Sequence, residues 1–124
     1  MNAKQLSFLI DQLDESVVVV DKNLNIVCFN KSAEICFQYQ HEEVIGKHLN
    51  ILIPLKFHES HNQRAKQYIE NNEPPRPIDK RESVVYAKKK DGYEFLVRIA
   101  ILNLCVNGQQ HAIAIIKQYE DVIY

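Results

Sequence analysis

Glycine is scarce in this chain: Gly46, Gly92 and Gly108 are all it has. A loop that cradles phosphate with backbone N–H groups needs several glycines close together, so that class of nucleotide site is excluded. Cysteine is equally thin. Cys28, Cys36 and Cys105 are odd in number and form no Cys-x-x-Cys pair, which excludes a zinc knuckle and a thioredoxin-like site. Each lies among apolar neighbours and reads as a small buried hydrophobe, fitting a reducing, cytoplasmic compartment. No apolar run approaches the ~20 residues that span a bilayer. The start, Met1-Asn2-Ala3-Lys4-Gln5, lacks the apolar stretch of a secretion signal. Net charge is missing too: 15 Lys+Arg stand against 16 Asp+Glu, so neither nucleic acid nor a membrane surface is expected as partner.

Catalytic motifs are also lacking. There is no Gly-x-Ser-x-Gly, no Walker loop and no His-Glu-x-x-His. A small α+β enzyme is the competing class, with Asp14, Asp21, His58, His61 and Asp79 as its titratable groups. These fall near turns and helix faces without motif spacing, so the chain is expected to be non-catalytic. His58 and His61 stand at i, i+3 with Glu59 between them, but no third ligand is placed, and no metal is expected.

What the 124 residues do contain is one domain's worth of clearly patterned elements. Leu6, Leu9, Ile10 and Leu13 fall at i, i+3, i+4 and i+7, which predicts an amphipathic helix flanking the domain over 1–13. Val17-Val18-Val19-Val20 predicts a strand, because four β-branched residues in a row make poor helix. Asp21-Lys22-Asn23 turns the chain into a second strand, Asn25 to Phe29. Asn30 caps a helix from Lys31 to Phe37 by accepting the Ala33 N–H, and another short helix near His41 to Ile45 ends at Gly46. Pro54 is predicted to open the longest helix, closed near Asn72. Pro74, Pro75 and Pro77 force an extended connection into a third strand, Ile78 to Lys89. The fourth runs from Tyr93 to Val106 and the fifth from Gln110 to Tyr119. Asp91-Gly92 and Asn107-Gly108 predict tight hairpins with both central residues at positive φ. Strands grouped apart from helices argue for an α+β domain: a five-stranded antiparallel sheet with helices on one face.

The fourth strand is apolar on both alternating faces, Phe95, Val97, Ile99 and Ile101 against Ala100, Leu102 and Leu104. It is therefore expected to be covered on both sides. The middle helices cover one side; the N-terminal helix or a second copy of the domain covers the other. Leu6, Leu9, Ile10 and Leu13 are the candidate dimer-interface residues. The run Lys88-Lys89-Lys90 reads as a solvated turn whose charge guards a sheet edge.

From about Asp14 to Tyr119 the chain resembles a PAS domain. Leu13 to Asp21 is similar to the family's opening strand, and Ile26 to Glu34 to its second strand and Asn-capped helix. Phe37-Gln38-Tyr39, Glu42-Glu43-Val44-Ile45-Gly46-Lys47 and Leu52-Ile53-Pro54 follow its most specific progression. Lys90-Asp91-Gly92-Tyr93-Glu94-Phe95 matches its hairpin. The resemblance implies a domain over 14–119, a connector beginning at 120–124, and a sensory and dimerisation role. The domain would regulate a signalling effector, such as a histidine kinase or a cyclic-di-nucleotide enzyme, in a bacterial-type protein. Where the family carries an Asp-Ile-Thr junction to its output helix, this chain reads Lys117-Gln118-Tyr119, with Asp121-Val122-Ile123 slightly later.

The resemblance also implies a pocket between sheet and helices for a small molecule or cofactor. A flavin photosensor needs a reactive cysteine where this chain has Gly46-Lys47-His48-Leu49-Asn50-Ile51, so that cofactor is not expected. Haem is the alternative, which would make the domain a gas or redox sensor. His61 stands where haem-binding relatives carry the axial ligand and Arg81 where they carry a gas-contacting arginine, although Arg64 and Gln67 depart from that pattern. Candidates for an organic ligand are Arg98, a lone charge among apolar strand residues, with Tyr68 and Ile99.

Overall fold

Four consecutive valines set the centre of the sheet. In the computed structural model, which describes residues 1–77 and 84–119, they lie in β1 (Ser16–Asp21) and are all buried. Val18 and Val20 join one apolar cluster and Val17 and Val19 another, because successive strand side chains point to opposite faces. The remaining strands are β2 (Ile26–Phe29), β3 (Val84–Lys88), β4 (Glu94–Val106) and β5 (Gln109–Gln118). They form one five-stranded sheet of order β2-β1-β5-β4-β3, antiparallel at every pair.

The helices are α1 (Ala3–Ile10), α2 (Lys31–Phe37), α3 (His41–Val44) and α4 (His58–Glu70), with 3-10 turns at Leu49–Leu52 and Leu55–Phe57. The middle helices cover the inner face. Phe29, Phe37, Leu52, Tyr68, Ile69, Phe95 and Val97 pack together there.

The other face is closed from within the chain. Leu6 and Ile10, each 2% exposed, pack on Val17, Val19, Cys28, Val106 and Ile113, with Leu102, Leu104 and Ile115 at the margin. Burying two such side chains contributes about 3–6 kcal/mol before entropy is counted. On the outer face α1 reaches only the end of β4, at Leu102, Leu104 and Val106, so the double-sided cover predicted for β4 is present there while Ala100 stays partly exposed.

The flanking helix covers Ala3–Ile10 rather than 1–13, and three further expectations need correction. The long helix does not begin at Pro54: that residue is extended at ψ 142° and leads into the second 3-10 turn, so α4 starts at His58. The first hairpin is not a two-residue turn. Asp91 keeps an ordinary φ while Gly92 is at +92°. The Lys89 N–H donates to the Tyr93 carbonyl and the Gly92 N–H to the Lys89 carbonyl, both at 2.9 Å. This is a three-residue loop with glycine in the left-handed position, and it moves the start of β4 to Glu94. At the second hairpin Asn107 and Gly108 do both have positive φ, +52° and +76°. The third correction is to strand ends: β5 begins at Gln109 and ends at Gln118. The predicted start of β3 at Ile78, and the connector 120–124, lie outside the described residues.

Candidate functional site

The site lies between α4 and the inner face of β4 and β5. Phe37 of α2 belongs to the same inner cluster, its ring centroid 6.1 Å from that of Phe29 and 5.9 Å from that of Phe95. Ile99 and Ile101 complete the sheet side as half-buried residues.

On α4 the inward stripe is His61, Ala65, Tyr68 and Ile69, at i, i+4, i+7 and i+8. Ala65, Tyr68 and Ile69 belong to the inner cluster, so the spacing turns His61 toward the same side. Its Nδ1 is buried and, among the described residues, has no hydrogen-bond partner. Burial pushes the His61 pKa down. Nearby Arg64, His48 and His58 act in the same direction, and Asn62 opposes them. At neutral pH the ring is an uncharged imidazole with a free nitrogen.

Neighbouring histidines are occupied differently. His58 Nε2 is 2.7 Å from the Ile53 carbonyl, to which it donates. His48 Nδ1 accepts the Asn50 N–H at 3.1 Å and caps the first 3-10 turn; its pKa is lowered, chiefly by burial. The described residues contain no group of three His, Cys, Asp or Glu placed to hold a metal ion.

Tyr68 is buried and its hydroxyl is committed to the backbone. It lies 3.0 Å from the Pro74 carbonyl and 3.1 Å from the Ile101 carbonyl, sharing its proton between them. Burial raises the phenol pKa; Arg76 opposes this and Glu73 adds to it. Asn103 Nδ2 donates to the carbonyls of Tyr68 at 3.1 Å and Glu73 at 3.0 Å. Together these bonds staple the end of α4 to β4. Sequence reasoning missed Asn103: its polar side chain in an apolar strand was the available signal.

Arg98 is a correction. Strand alternation puts it with Ala100, Leu102 and Leu104 on the outer face, away from the pocket. Its guanidinium stacks over Tyr119 with 5.0 Å to the ring centroid. Arg81 lies outside the described residues. Of the four dimer candidates, Leu6 and Ile10 are used up against the chain's own sheet, whereas Leu9 (50% exposed) and Leu13 (41%) face solvent beside Phe8 (72%). Also unforeseen was a shallow groove of about 350 Å³ lined by Glu34, Ile35, Gln38, Tyr39 and Gln40 on the outside of α2.

Asn30 links the outer and inner layers. Its Oδ1 accepts the N–H groups of Ala33 at 3.0 Å and Val17 at 2.9 Å. Its Nδ2 donates to the carbonyls of Ile10 at 2.8 Å and Glu15 at 2.9 Å. One buried amide thus joins α1, β1 and α2.

This architecture defines a small α+β domain with a helix-covered core on one side of its sheet and a flanking helix on the other. The chain matches the family model described as the PAS fold over residues 4–116, and it belongs to that family. PAS domains are sensory modules typical of signalling proteins such as histidine kinases; they commonly dimerise and link to effector domains. Over 100 residues the chain is 26% identical to the oxygen sensor protein DosP of Escherichia coli (strain K12), a match that covers 81% of this chain and 12% of that protein. Among solved structures, it superposes on a PAS domain from Colwellia psychrerythraea with a TM-score of 0.75 at 20% identity, over 94% of this chain and 95% of that one. The PAS domain of a two-component sensor histidine kinase gives 0.70 at 14% identity, over 94% and 95%. At those identities the structures establish the fold. Among the described residues no helix is long and apolar enough to cross a membrane.

Proposed function

We propose that this chain is the cytoplasmic, non-catalytic sensory and dimerisation input of a signalling protein, binding a small molecule between α4 and the sheet and regulating an effector. The observation that carries the reading is the Asn30 network. It ties the Ile10 carbonyl at the end of α1 to α2, whose far end, Phe37, packs in the inner core against Phe95. A ligand seated against Phe37, Tyr68 and Ile99 displaces α2, and that movement is felt at α1. The mechanism is a population shift between two packings of α1, each with its own dimer geometry. Phe8, Leu9 and Leu13 are the proposed contact between copies, replacing the buried Leu6 and Ile10. Sedimentation velocity provides the test. Wild type is expected to form a concentration-dependent dimer, and Phe8→Glu with Leu9→Glu to be monomeric with an unchanged circular dichroism spectrum. A wild type that stays monomeric at high concentration, with no melting-temperature shift in a broad metabolite screen, would sink the proposal.

A second reading is favoured by the relative that is an oxygen sensor and by the buried Nδ1 of His61, which has no hydrogen-bond partner among the described residues. The residues fit a haem at that point: a neutral imidazole on the inward stripe of α4 is a sound axial ligand. His61 would hold the iron, and Arg81 is the proposed second contact. Bound haem would supply the gas-binding iron. After expression with haem supplied, this reading expects a Soret band that is abolished or shifted in His61→Ala. No band, or a band untouched by the substitution, ends it.

A further inference from the structure

The two edges of the sheet are finished differently. At β2 the chain seals its own edge: the Gly46 N–H donates to the Ile26 carbonyl, the Ile26 N–H to the Lys47 carbonyl and the Leu49 N–H to the Leu24 carbonyl, each at 2.8 Å. At β3 the register sets Val85 and Ala87 opposite Val97 and Phe95, and the Lys89 N–H donates to the Tyr93 carbonyl. The odd-numbered residues therefore bond to β4. Val84, Tyr86 and Lys88 alternate with them, so their N–H and C=O groups point away from the sheet. Among the described residues, nothing on that side pairs with them.

The surroundings of this open edge are cationic and aromatic. Phe57 and half-exposed Tyr86 stack with centroids 6.2 Å apart and planes 8° apart. Lys56 Nζ lies 5.2 Å from the first ring and 6.0 Å from the second. Lys88 is on the edge itself, and Lys89 overlies Phe95 at 5.1 Å. Lys90 is committed to Glu43. The register neighbour of Lys88 is Glu94, on the β4 side.

We propose that the β3 edge receives an extended, acidic segment of a partner protein as a sixth strand. Main-chain bonds to Val84, Tyr86 and Lys88 supply affinity. Lys56 and Lys88 select acidic side chains, and the Phe57–Tyr86 pair takes an apolar one. Edge lysines deter pairing with a neutral edge or with a second copy of this one, where like charge meets like. An acidic strand turns the same lysines into an attraction.

The probe is a blocked peptide of about nine residues alternating glutamate with valine and tyrosine, followed by nuclear magnetic resonance of the whole chain. In the free protein the amides of Val84, Tyr86 and Lys88 should exchange with solvent much faster than those of Val85 and Ala87. With peptide, the first three should slow by about tenfold or more and shift together. Raising salt from about 0.05 to 0.5 M should weaken binding, as should Lys56→Glu with Lys88→Glu. Tyr86→Pro removes an outward N–H where an edge tolerates proline and should abolish binding. Slow exchange of the three amides in the free protein overturns the proposal. So does equal binding of a lysine-for-glutamate peptide, or a set of shifts confined to another surface.

Discussion

Asn30 uses the full hydrogen-bonding capacity of its amide, so replacing it with alanine removes four bonds to the backbone at once. Loss of the cap on α2 costs about 1 kcal/mol. The Val17 N–H, whose bond to Asn30 is buried, then has no partner, at about 1–2 kcal/mol. The Ile10 carbonyl keeps the Leu13 N–H at 3.1 Å and loses only its second bond, at about 0.5–1 kcal/mol. The Glu15 carbonyl is only partly buried and water can replace its bond, so it adds little. The sum is about 2.5–4 kcal/mol, a large share of the ~5–15 kcal/mol that holds a domain together. With a urea m-value of about 1.5 kcal/mol/M, the midpoint should fall by about 2–3 M with m unchanged. Asn30→Asp separates the two halves of the network. It keeps oxygens for Val17 and Ala33 but presents a carboxylate to the Ile10 and Glu15 carbonyls. Hydrogen exchange should then accelerate across α1 while α2 stays protected. A midpoint loss below about 0.5 M for Asn30→Ala, or unchanged α1 exchange in Asn30→Asp, would show that the amide does not hold the layers together.

Two further predictions concern α4. The His61 pKa is depressed in the folded chain from an ordinary 6.5, so below that pH the unfolded chain binds the proton more readily than the folded one. The stability tied to His61 is complete above pH 6.5 and is lost as pH falls from there toward the folded pKa. Urea midpoints from pH 7.5 to 5 should therefore decline less steeply in His61→Gln than in wild type; equal slopes would contradict a ring whose protonation burial disfavours. For Tyr68→Phe the ring packing persists while two carbonyls lose their shared donor. The cost should be about 1–2 kcal/mol by urea unfolding, with faster exchange in the last turn of α4. No change in either would mean the hydroxyl does not staple α4 to β4.

Local chemistry made most of the fold legible. Asn30 was readable as a cap because a side-chain acceptor before Lys31 has one obvious use, and the observed bond to Ala33 is the expected one. Its other three bonds were not readable: they join residues 13, 15 and 20 positions away, and only the three-dimensional fold brings those together. Asp91-Gly92 misled for a related reason. The dipeptide permits two positive φ values, but three-residue loops need only one glycine in the left-handed position. The offset between strand ends, which is a property of the whole sheet, chose between them.

The candidate site was legible only where periodicity reached it. The spacing from His61 to Ile69 puts His61 on the inward face of α4. Strand alternation, applied strictly, also puts Arg98 on the outer face: 98 has the parity of 100, 102 and 104, not of 97, 99 and 101. Treating a lone charge on an apolar strand as a ligand clamp overlooked that parity. The same rule distributes the apolar stripe of α1. A helix of eight residues offers one narrow stripe to a sheet, and Leu6 and Ile10, four apart, occupy it. Leu9 is turned about 100° from Ile10, so it cannot share that contact and faces outward with Phe8. Leu13 lies beyond the helix. A flanking helix in which apolar residues outnumber the places on its own domain has surface left for a second one. The division between what α1 buries and what it leaves exposed is therefore where the dimer is to be sought.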